Sequence, residues 1–329
     1  MTLLETMLDS ANNWKSKVCE KCTHPYILGG CCSDINSNWG CGKCLDEIHF
    51  DEKAYQHLDP KGYSTRSKYD CVKLLHCYVD RYAERYYSNI KSACKNIDFG
   101  KYLRLNVLSL GCGSAPDLAA LHELAAGKPV KYTGIDSNPC WSDLQRNIEN
   151  YAQDEKNNLS VEFIRGDALQ PSNLPQTEVY NVVVIQWFIS TILKSVGTPG
   201  SPKRIVSEVY DEVVTIENIY SLFNDIVASA TLRWRDSDLD SPFLFILDDV
   251  DHPYFGRDGF YKLIDILEES GYRGTAYAIS SGKTDTLYFG ANRRSDRKGK
   301  EGHDNVTYHY YSYGSKKNPN ASLVIEVTK

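Results

Sequence analysis

Long hydrophobic runs are missing from this chain, and so is an excess of positive charge. No apolar stretch approaches the roughly 20 residues that a membrane-spanning helix needs. The opening segment MTLLETMLDSANNWKSKV is amphipathic and has no apolar core of the signal-peptide kind. The net charge is −6, which gives no electrostatic footprint for nucleic acid across the chain as a whole. These absences predict a cytoplasmic protein with no membrane partner.

Internal repeats and low-complexity tracts are also absent, and the composition is that of a globular protein. Hydrophobic residues make up 42% and charged residues 24% of the 329 residues, so the chain can bury a sizeable core. Its length permits either one large α/β domain or one domain with a smaller appendage. One dense basic stretch, which we interpret as a solvated loop, comprises Arg293, Arg294, Arg297, Lys298 and Lys300.

The cysteines are concentrated near the N-terminus. Six of the 11 fall between Cys19 and Cys44, which in a cytosolic chain indicates metal thiolates rather than disulfides. The C-x2-C…C-x2-C spacing predicts a structural zinc site with four thiolates, whose ligands are Cys19, Cys22, Cys41 and Cys44. Surplus candidates for the ligand set are His24, Cys31 and Cys32. An iron–sulfur cluster is the alternative, although the denser cysteine run typical of it is missing.

Three zones of different texture follow one another along the chain. Residues 1–60 form the cysteine-rich zinc module, 61–100 a helical connector, and 101–329 an α/β domain with a C-terminal hairpin extension. In the connector, apolar and aromatic residues recur at spacings of three and four, which predicts one helix face that packs on the core. This face comprises Cys71, Leu74, Leu75, Tyr78, Tyr82, Tyr86 and Ile90.

Short apolar runs alternate with helical segments from Leu103 onward, the pattern of a doubly wound parallel sheet. The predicted strands are Asn106–Leu110, Lys131–Ile135, Val161–Arg165, Val182–Gln186, Phe243–Leu247, Thr275–Ser280 and Thr286–Ala291. The predicted helices are Ala115–Leu124, Trp141–Gln153, Lys203–Ala230 and Asp258–Ser270. The turn between the last two strands is too short for a parallel crossover, so these strands should be antiparallel neighbours. The tail from Val306 onward resembles an extra β-hairpin.

Glycines and acidic residues mark the ends of the first strands. The first predicted strand runs into Gly111-Cys112-Gly113, where a backbone without Cβ atoms can turn sharply and approach a ligand. The second ends in Asp136, a position at which nucleotide-binding α/β folds bind ribose hydroxyls. The alternative is that Asp136, or a neighbour, only caps the next helix. The third strand ends at Asp167, which is placed to receive an adenine amine, although Asp also favours turns.

The succession VLSLGCGSAPD, YTGIDSN, FIRGDAL and VVVIQWF resembles the class I S-adenosylmethionine-dependent methyltransferase family over residues 103–294. The resemblance implies a seven-stranded, mostly parallel, doubly wound sheet with an antiparallel last strand, in addition to the zinc module. The cofactor-binding residues it implies are Gly111, Cys112, Gly113, Asp136, Ser137, Asp167, Ala168, Gln186 and Trp187. Ser109 replaces the family's usual acidic residue, and Ala115 its third glycine. A dinucleotide-binding Rossmann domain is the competing interpretation, but it normally has glycine where Pro116 stands.

The catalytic group is not evident from the sequence. The weak candidates are Asp248, Asp249 and His252, whose segment also fits a solvated acidic loop. Tyr63 is a candidate wall of the site. The resemblance and the zinc module predict a methyltransferase that acts on a macromolecule, with RNA slightly ahead of protein. The alternatives are a small-molecule methyltransferase and a noncatalytic zinc-dependent binding protein that keeps the fold as a scaffold.

Overall fold

The computed structural model describes most of the α/β domain and the first helix. The described residues are 1–15, 72–168, 170, 173–175, 177–188, 193–196, 204–207, 225–226, 229–250, 272–280, 283–286, 303–315 and 318–327. Outside them lie the predicted metal ligands and several other predicted features: Cys19, Cys22, His24, Cys31, Cys32, Cys41, Cys44, Tyr63, His252, the helix at 258–270 and the basic stretch at 293–300.

Five parallel strands form the first part of the sheet, and they confirm the first five predicted strands. They are β1 (Leu105–Leu110), β2 (Val130–Asp136), β3 (Leu159–Arg165), β4 (Val182–Gln186) and β7 (Phe243–Val250), in the order β3-β2-β1-β4-β7. β4 lies inside the sheet, between β1 and β7, and all four residues from Val182 to Ile185 are buried, as a strand covered on both faces requires.

A separate two-stranded antiparallel sheet lies between β4 and β7 in the sequence. It comprises β5 (Leu193–Val196) and β6 (Arg204–Ser207). The prediction of a helix from Lys203 is therefore wrong at its start, where the β-branched pair Ile205-Val206 favours a strand. Helical backbone is found in the described residues 229–235.

The second part of the sheet differs from the predicted one. It comprises β8 (Tyr272–Ser280), β9 (Lys283–Thr286), β10 (His303–Ser315) and β11 (Asn318–Val327). Among the described residues, the order is β3-β2-β1-β4-β7-β11-β10-β8-β9, nine strands where seven were expected. β8 and β9 are antiparallel as predicted, and they lie at one end of the strand order. β9 contains Thr286, the first residue of the predicted strand Thr286–Ala291, and the rest of that strand lies outside the described residues.

The C-terminal hairpin is not an extension of the sheet, because it lies inside it. β11 pairs antiparallel with β7 on one side and with β10 on the other. The antiparallel strand that the resemblance implied is therefore β11, the last strand of the chain. The observed architecture is a mostly parallel mixed sheet with an antiparallel last strand.

Four helices form a layer on one face of the sheet: α1 (Leu3–Lys15), α2 (Val72–Ala93), α3 (Pro116–Leu124) and α4 (Ser142–Ala152). α2, α3 and α4 lie within predicted helices. Helix α1 belongs to the span assigned to the zinc module, but it packs on α2 and α4, and Met7 and Ala11 are fully buried in the domain core. The first 15 residues therefore belong to the helical layer, because an amphipathic helix needs an apolar surface to cover.

The opposite face of the sheet is covered as well, which makes the domain doubly wound. Trp234, in the helical residues 229–235, is 1% exposed and lies 5.8 Å from Phe243 of β7, between ring centroids. Its indole N–H donates to the Ser241 carbonyl at 2.7 Å. Among the described residues, no helix combines the length and apolar character needed to cross a membrane.

Candidate functional site

The carboxyl ends of neighbouring parallel strands meet at one edge of the sheet. β1 lies between β2 and β4, and β3 lies beyond β2. Backbone hydrogen bonds join the loops: Gly111 N–H donates to the Ile135 carbonyl at 2.8 Å, and Gly166 N–H donates to the Asp136 carbonyl at 3.1 Å. In open parallel sheets, ligands bind at this edge, where the strand order reverses. The loops after β1, β2, β3 and β4 therefore form the candidate site.

The turn after β1 has a backbone that suits glycine. Gly111 has a φ of +66° and Gly113 a φ of +52°, in the left-handed region that other residues rarely adopt. A Cβ on Gly111 would overlap the Phe188 ring, and one on Gly113 would lie 3.4 Å from the Trp141 ring. In this structure Phe188 therefore occupies the space beside Gly111, and a ligand that approaches the backbone there must displace this ring.

The side chain of Cys112, between the two glycines, points into the protein. Cys112 is buried, and a Cβ on Gly134 of β2 would lie 2.7 Å from its Sγ. Burial raises the pKa of the thiol well above its ordinary value, so this cysteine is neutral at physiological pH. Any contact of Cys112 with a ligand would come from its backbone.

Asp136 presents its carboxylate to the turn after β1. Its Oδ2 accepts a hydrogen bond from Gly113 N–H at 2.9 Å, and its Oδ1 accepts one from Asn138 N–H at 2.8 Å. Burial raises the pKa of Asp136, and these two N–H donors offset part of that effect. The 3-10 turn Pro139–Trp141 is capped by Asn138, whose Oδ1 accepts from Cys140 N–H at 2.9 Å. Asp136 is therefore not needed as the cap of that turn.

Two residues of this region were not identified from the sequence. Gln145 of α4 donates from Nε2 to the Gly113 carbonyl at 3.1 Å, and Trp141 lies against the same glycine. Gln145 follows the acidic strand end by nine residues, and no local motif marks it. Only the position of α4 over the glycine turn makes the contact. Ser137, a predicted cofactor contact, is exposed beside Asp136.

The loop after β3 is fixed by hydrogen bonds to its backbone. The Asp167 carbonyl accepts from Gln170 N–H at 3.1 Å and from Asn173 Nδ2 at 2.9 Å. Ala168 is buried. Since Gly166 is bonded to Asp136, this loop lies next to the carboxylate. The structure thus brings Asp167 and Ala168 to the same edge as the glycine turn, and their contact with adenine stays a prediction.

The acidic residues proposed as catalytic candidates lie within β7 rather than in a loop after it. Asp248 and Asp249 are both fully buried, so the expectation of a solvated acidic loop is wrong for these two. The Asp248 carboxylate accepts hydrogen bonds from Asn89 Nδ2 at 3.3 Å, Gln186 Nε2 at 3.1 Å and Ser322 Oγ at 2.6 Å. Gln186, Asp248 and Ser322 are cross-strand neighbours on β4, β7 and β11. In this structure Asp248 holds neighbouring side chains in place.

Aromatic rings connect α2 to the end of β4. The Tyr86 ring stacks on that of Trp187 with centroids 5.0 Å apart, and the Arg85 guanidinium lies 5.3 Å from the Trp187 ring centroid. Tyr86 is buried and Ile90 fully so, which confirms that this part of the predicted helix face packs on the core. Trp187 has a φ of +52°, uncommon for a bulky residue and a feature often found at functional sites.

A buried acidic residue lies below the glycine turn. Asp117, in the first turn of α3, accepts hydrogen bonds from the Tyr132 hydroxyl at 3.2 Å to each oxygen. Burial raises the pKa of Asp117 to about 6, while hydrogen bonds from Ser109 and Tyr132 lower it. Ser109, which stands where the family has an acidic residue, thus contacts an acidic residue of the following helix. Asp117 was missed because an Asp in a first helical turn usually serves the helix dipole.

The donors and acceptors at this edge fit the nucleoside part of S-adenosylmethionine. Asp136 offers carboxylate lone pairs beyond its two backbone bonds, and Gly113 and Trp141 form an adjacent wall. When bound, this cofactor supplies an electrophilic methyl group on a sulfonium. Among the described residues, no group of three or more His, Cys, Asp or Glu side chains is arranged to hold a metal.

Comparisons with known proteins give similarity of structure at low sequence identity. No family model and no curated protein matches the chain. It is similar to a Listeria monocytogenes protein described as a class I S-adenosylmethionine-dependent methyltransferase (TM-score 0.42, 10% identity, 99% of this chain and 88% of that chain). It is also similar to PigF with S-adenosylhomocysteine (TM-score 0.39, 12% identity, coverage 88% and 69%). A third similar structure is the N-terminal domain of human METTL16 in complex with S-adenosylhomocysteine (TM-score 0.35, 12% identity, coverage 77% and 70%).

Proposed function

We propose that the protein is an S-adenosylmethionine-dependent methyltransferase. The observation that supports this most strongly is the Asp136 carboxylate, oriented by Gly113 N–H and Asn138 N–H at the edge where the strand order reverses. An acidic residue at the end of the second strand is the group that binds ribose hydroxyls in nucleotide-binding α/β folds. In the reaction, the lone pair of the acceptor bonds to the methyl carbon. The carbon–sulfur pair stays on sulfur, which yields S-adenosylhomocysteine, and the acceptor loses a proton to water.

Calorimetric titration with S-adenosylmethionine and S-adenosylhomocysteine tests the cofactor. We expect binding in the micromolar range and a loss of about 10- to 100-fold in Asp136→Ala, as for a hydrogen bond to a charged group. Asp136→Asn, which keeps an acceptor for Gly113 N–H, separates loss of charge from a disturbed loop. Asp143→Ala, on the surface of α4, is the matched control. Absence of binding to either compound by the zinc-replete wild-type protein would overturn the enzyme proposal and favour the scaffold.

We propose a macromolecular acceptor, RNA ahead of protein. Support comes from Trp187, a partly exposed ring at the end of β4, with the Arg85 guanidinium 5.3 Å from its centroid. Splayed nucleobases stack on aromatic side chains and on arginine. Transfer of tritiated methyl groups to unmodified RNA transcripts, to denatured protein extract and to a metabolite pool tests the choice. Label only in the metabolite pool would contradict it and favour a small-molecule enzyme.

We also propose that Cys19, Cys22, Cys41 and Cys44 bind one zinc ion, on the strength of their spacing. The metal is expected to be structural, because four thiolates leave no position for water. Elemental analysis of the purified protein should give one zinc per chain, and Cys41→Ser should lower this content. Cys140→Ser, a cysteine of the α/β domain, is the control. Iron in place of zinc would favour the iron–sulfur alternative.

A further inference from the structure

The side-chain amide of Gln186 has a fixed orientation. Its Nε2 donates to the Tyr86 carbonyl at 2.9 Å and to the Asp248 carboxylate at 3.1 Å. Both partners are pure acceptors: one is a backbone carbonyl and the other, when ionised, a carboxylate. A flipped amide would place Oε1 against two oxygens, so hydrogen-bond chemistry determines which way Oε1 points. α2 and β7 together thus orient the last side chain of β4.

The oxygen of the same amide accepts no hydrogen bond from the described residues. Gln186 Oε1 is buried and has no hydrogen-bond partner among the residues that the structure describes. Buried polar atoms are nearly always hydrogen-bonded in native proteins, because an unmade bond costs the desolvation of the group. Gln186 Oε1 is an exception to this rule, and its orientation is fixed by two hydrogen bonds of the same amide. It lies at the ligand-binding edge of a parallel sheet, so a hydrogen-bond donor of a ligand is the expected partner.

Asp248 is the residue that maintains this arrangement. Besides Gln186 Nε2, its carboxylate accepts from Asn89 Nδ2 and Ser322 Oγ, so donors from α2, β4 and β11 all converge on it. An ionised carboxylate cannot donate a hydrogen bond. When ionised, it therefore selects the NH2 side of the amide and turns Oε1 away from itself.

We infer that Gln186 Oε1 accepts a hydrogen bond from the methyl-accepting atom and that this atom is a nitrogen bearing N–H. Asp248 is the positioning residue for the Gln186 amide. This inference rests on the proposed function. The hydrogen bond holds the acceptor with its lone pair free for the methyl carbon. The nitrogen forms the new N–C bond, the S–C bond breaks with its pair to sulfur, and the N–H proton leaves to water.

Nitrogen is preferred to oxygen because the amide is not a base. A hydroxyl acceptor must lose its proton as the methyl group arrives, which requires a general base within reach. The nearest described carboxylate is that of Asp248, which is occupied by three donors. A neutral nitrogen nucleophile uses its lone pair directly and needs only orientation. Carbon and sulfur acceptors offer no comparable donor to Oε1.

Access to Oε1 requires movement of the turn that follows β4. The atom has no exposure in this structure, and Gln186 is followed directly by Trp187 and Phe188. Trp187 has a left-handed φ of +52°, and Phe188 lies against Gly111. The same displacement of Phe188 that frees the backbone of Gly111 for the cofactor would open the end of β4 for the acceptor.

The test combines kinetics with identification of the product. Tritiated methyl transfer is measured on unmodified RNA transcripts and on denatured protein extract, and the methylated atom is determined by hydrolysis and mass spectrometry. In Gln186→Leu, kcat/KM for the acceptor should fall about 10- to 100-fold, while calorimetric affinity for S-adenosylhomocysteine stays within about two-fold. Gln153→Leu, an exposed glutamine at the end of α4, is the matched control.

A double-mutant cycle tests the role of Asp248. Asp248→Asn lets the Gln186 amide flip, so it should lower kcat/KM in the wild type but hardly at all in Gln186→Leu. A merely structural aspartate would give the same loss in both backgrounds, with a matching loss of stability in urea.

The outcomes separate this inference from the proposed function. If the wild-type protein neither binds the cofactor nor transfers methyl groups, both the proposed function and this inference are overturned. Transfer to oxygen, carbon or sulfur overturns the inference alone, and so does a Gln186→Leu variant with unchanged kcat/KM. A selective loss of cofactor affinity in that variant would instead make Gln186 the cofactor contact that the sequence predicted.

Discussion

The buried carboxyl of Asp117 makes the stability of the domain depend on pH in a direction that can be measured. Burial raises the pKa of Asp117 from 3.8 to about 6 in the folded protein. The folded state therefore binds more protons than the unfolded state between these two pH values, and the free energy of unfolding falls as the pH rises through this window. The difference corresponds to a destabilisation of about 3 kcal/mol, complete above about pH 7.

Asp117→Asn removes this ionisation while keeping an oxygen for the Tyr132 hydroxyl. The neutral amide loses the favourable interaction of a negative charge with the start of α3, which is worth about 0.3–1 kcal/mol. It also accepts a weaker hydrogen bond from the Tyr132 hydroxyl. We therefore expect the variant to be about 1–2 kcal/mol more stable than the wild type at pH 7.5. At pH 4.5 this advantage should be gone. The stability difference between the two proteins should change by about 2 kcal/mol between these conditions, because part of the effect has already developed at pH 4.5.

Urea unfolding from pH 4 to 8 measures this difference directly, because titrations common to both proteins cancel. Asp143→Asn, in the first turn of α4 and partly exposed, is the matched control for loss of an acidic residue at the start of a helix. Tyr132→Phe removes a donor that lowers the pKa of Asp117, so it should move the midpoint of the trend to higher pH. A stability difference that stays constant across the range would refute the reasoning.

Two further predictions concern the glycine turn and the C-terminal hairpin. Gly111→Ala should lower the free energy of unfolding by about 2–4 kcal/mol, because of its left-handed φ and the contact of the new Cβ with Phe188. Gly127→Ala is the control and should lower it by only about 1–2 kcal/mol, because φ is +84° there and no atom lies within 4 Å of the new Cβ. Equal losses of stability in urea unfolding would contradict the packing argument. Deleting residues 303–329 should abolish cooperative unfolding by circular dichroism, because β11 supplies four buried apolar side chains worth about 6–12 kcal/mol, comparable to the whole stability of a domain. Ile325→Ala in the full chain should cost about 2–5 kcal/mol, and a folded truncated protein would show that the hairpin is dispensable.

The first half of the sheet could be predicted because its signals are local. Each of β1 to β4 is a short apolar run that ends in glycine, aspartate or an aromatic pair, and these residues mark both the strand and its functional end. The glycine turn and Asp136 were identified for the same reason. The contact of Gln145 with Gly113, in contrast, depends on how α4 lies over β1, which no run of neighbouring residues encodes.

The acidic segment at the end of β7 shows where local interpretation fails. A run of three aspartates and a histidine within five residues resembles a solvated loop, yet Asp248 and Asp249 are fully buried. Their burial is possible because donors on other elements satisfy the charge: for Asp248 these are Asn89, Gln186 and Ser322. These partners lie 159, 62 and 74 residues away in the sequence, so the compensation appears only with the tertiary structure.

The place of the C-terminal hairpin has a consequence for the candidate site. β10 alternates tyrosines with polar residues, a pattern typical of an exposed hairpin, and the choice of β7 as partner for β11 is a long-range event that strand propensity does not determine. Because β11 runs antiparallel to β7, its beginning, not its end, lies at the edge where the parallel strands finish: Asn320 pairs with Val250 and Ser322 with Asp248. Ser322 thereby donates to the carboxylate that orients Gln186. The last strand of the chain is therefore part of the support of the site, and substitutions at Ser322 should act on the acceptor side of the reaction rather than on cofactor affinity.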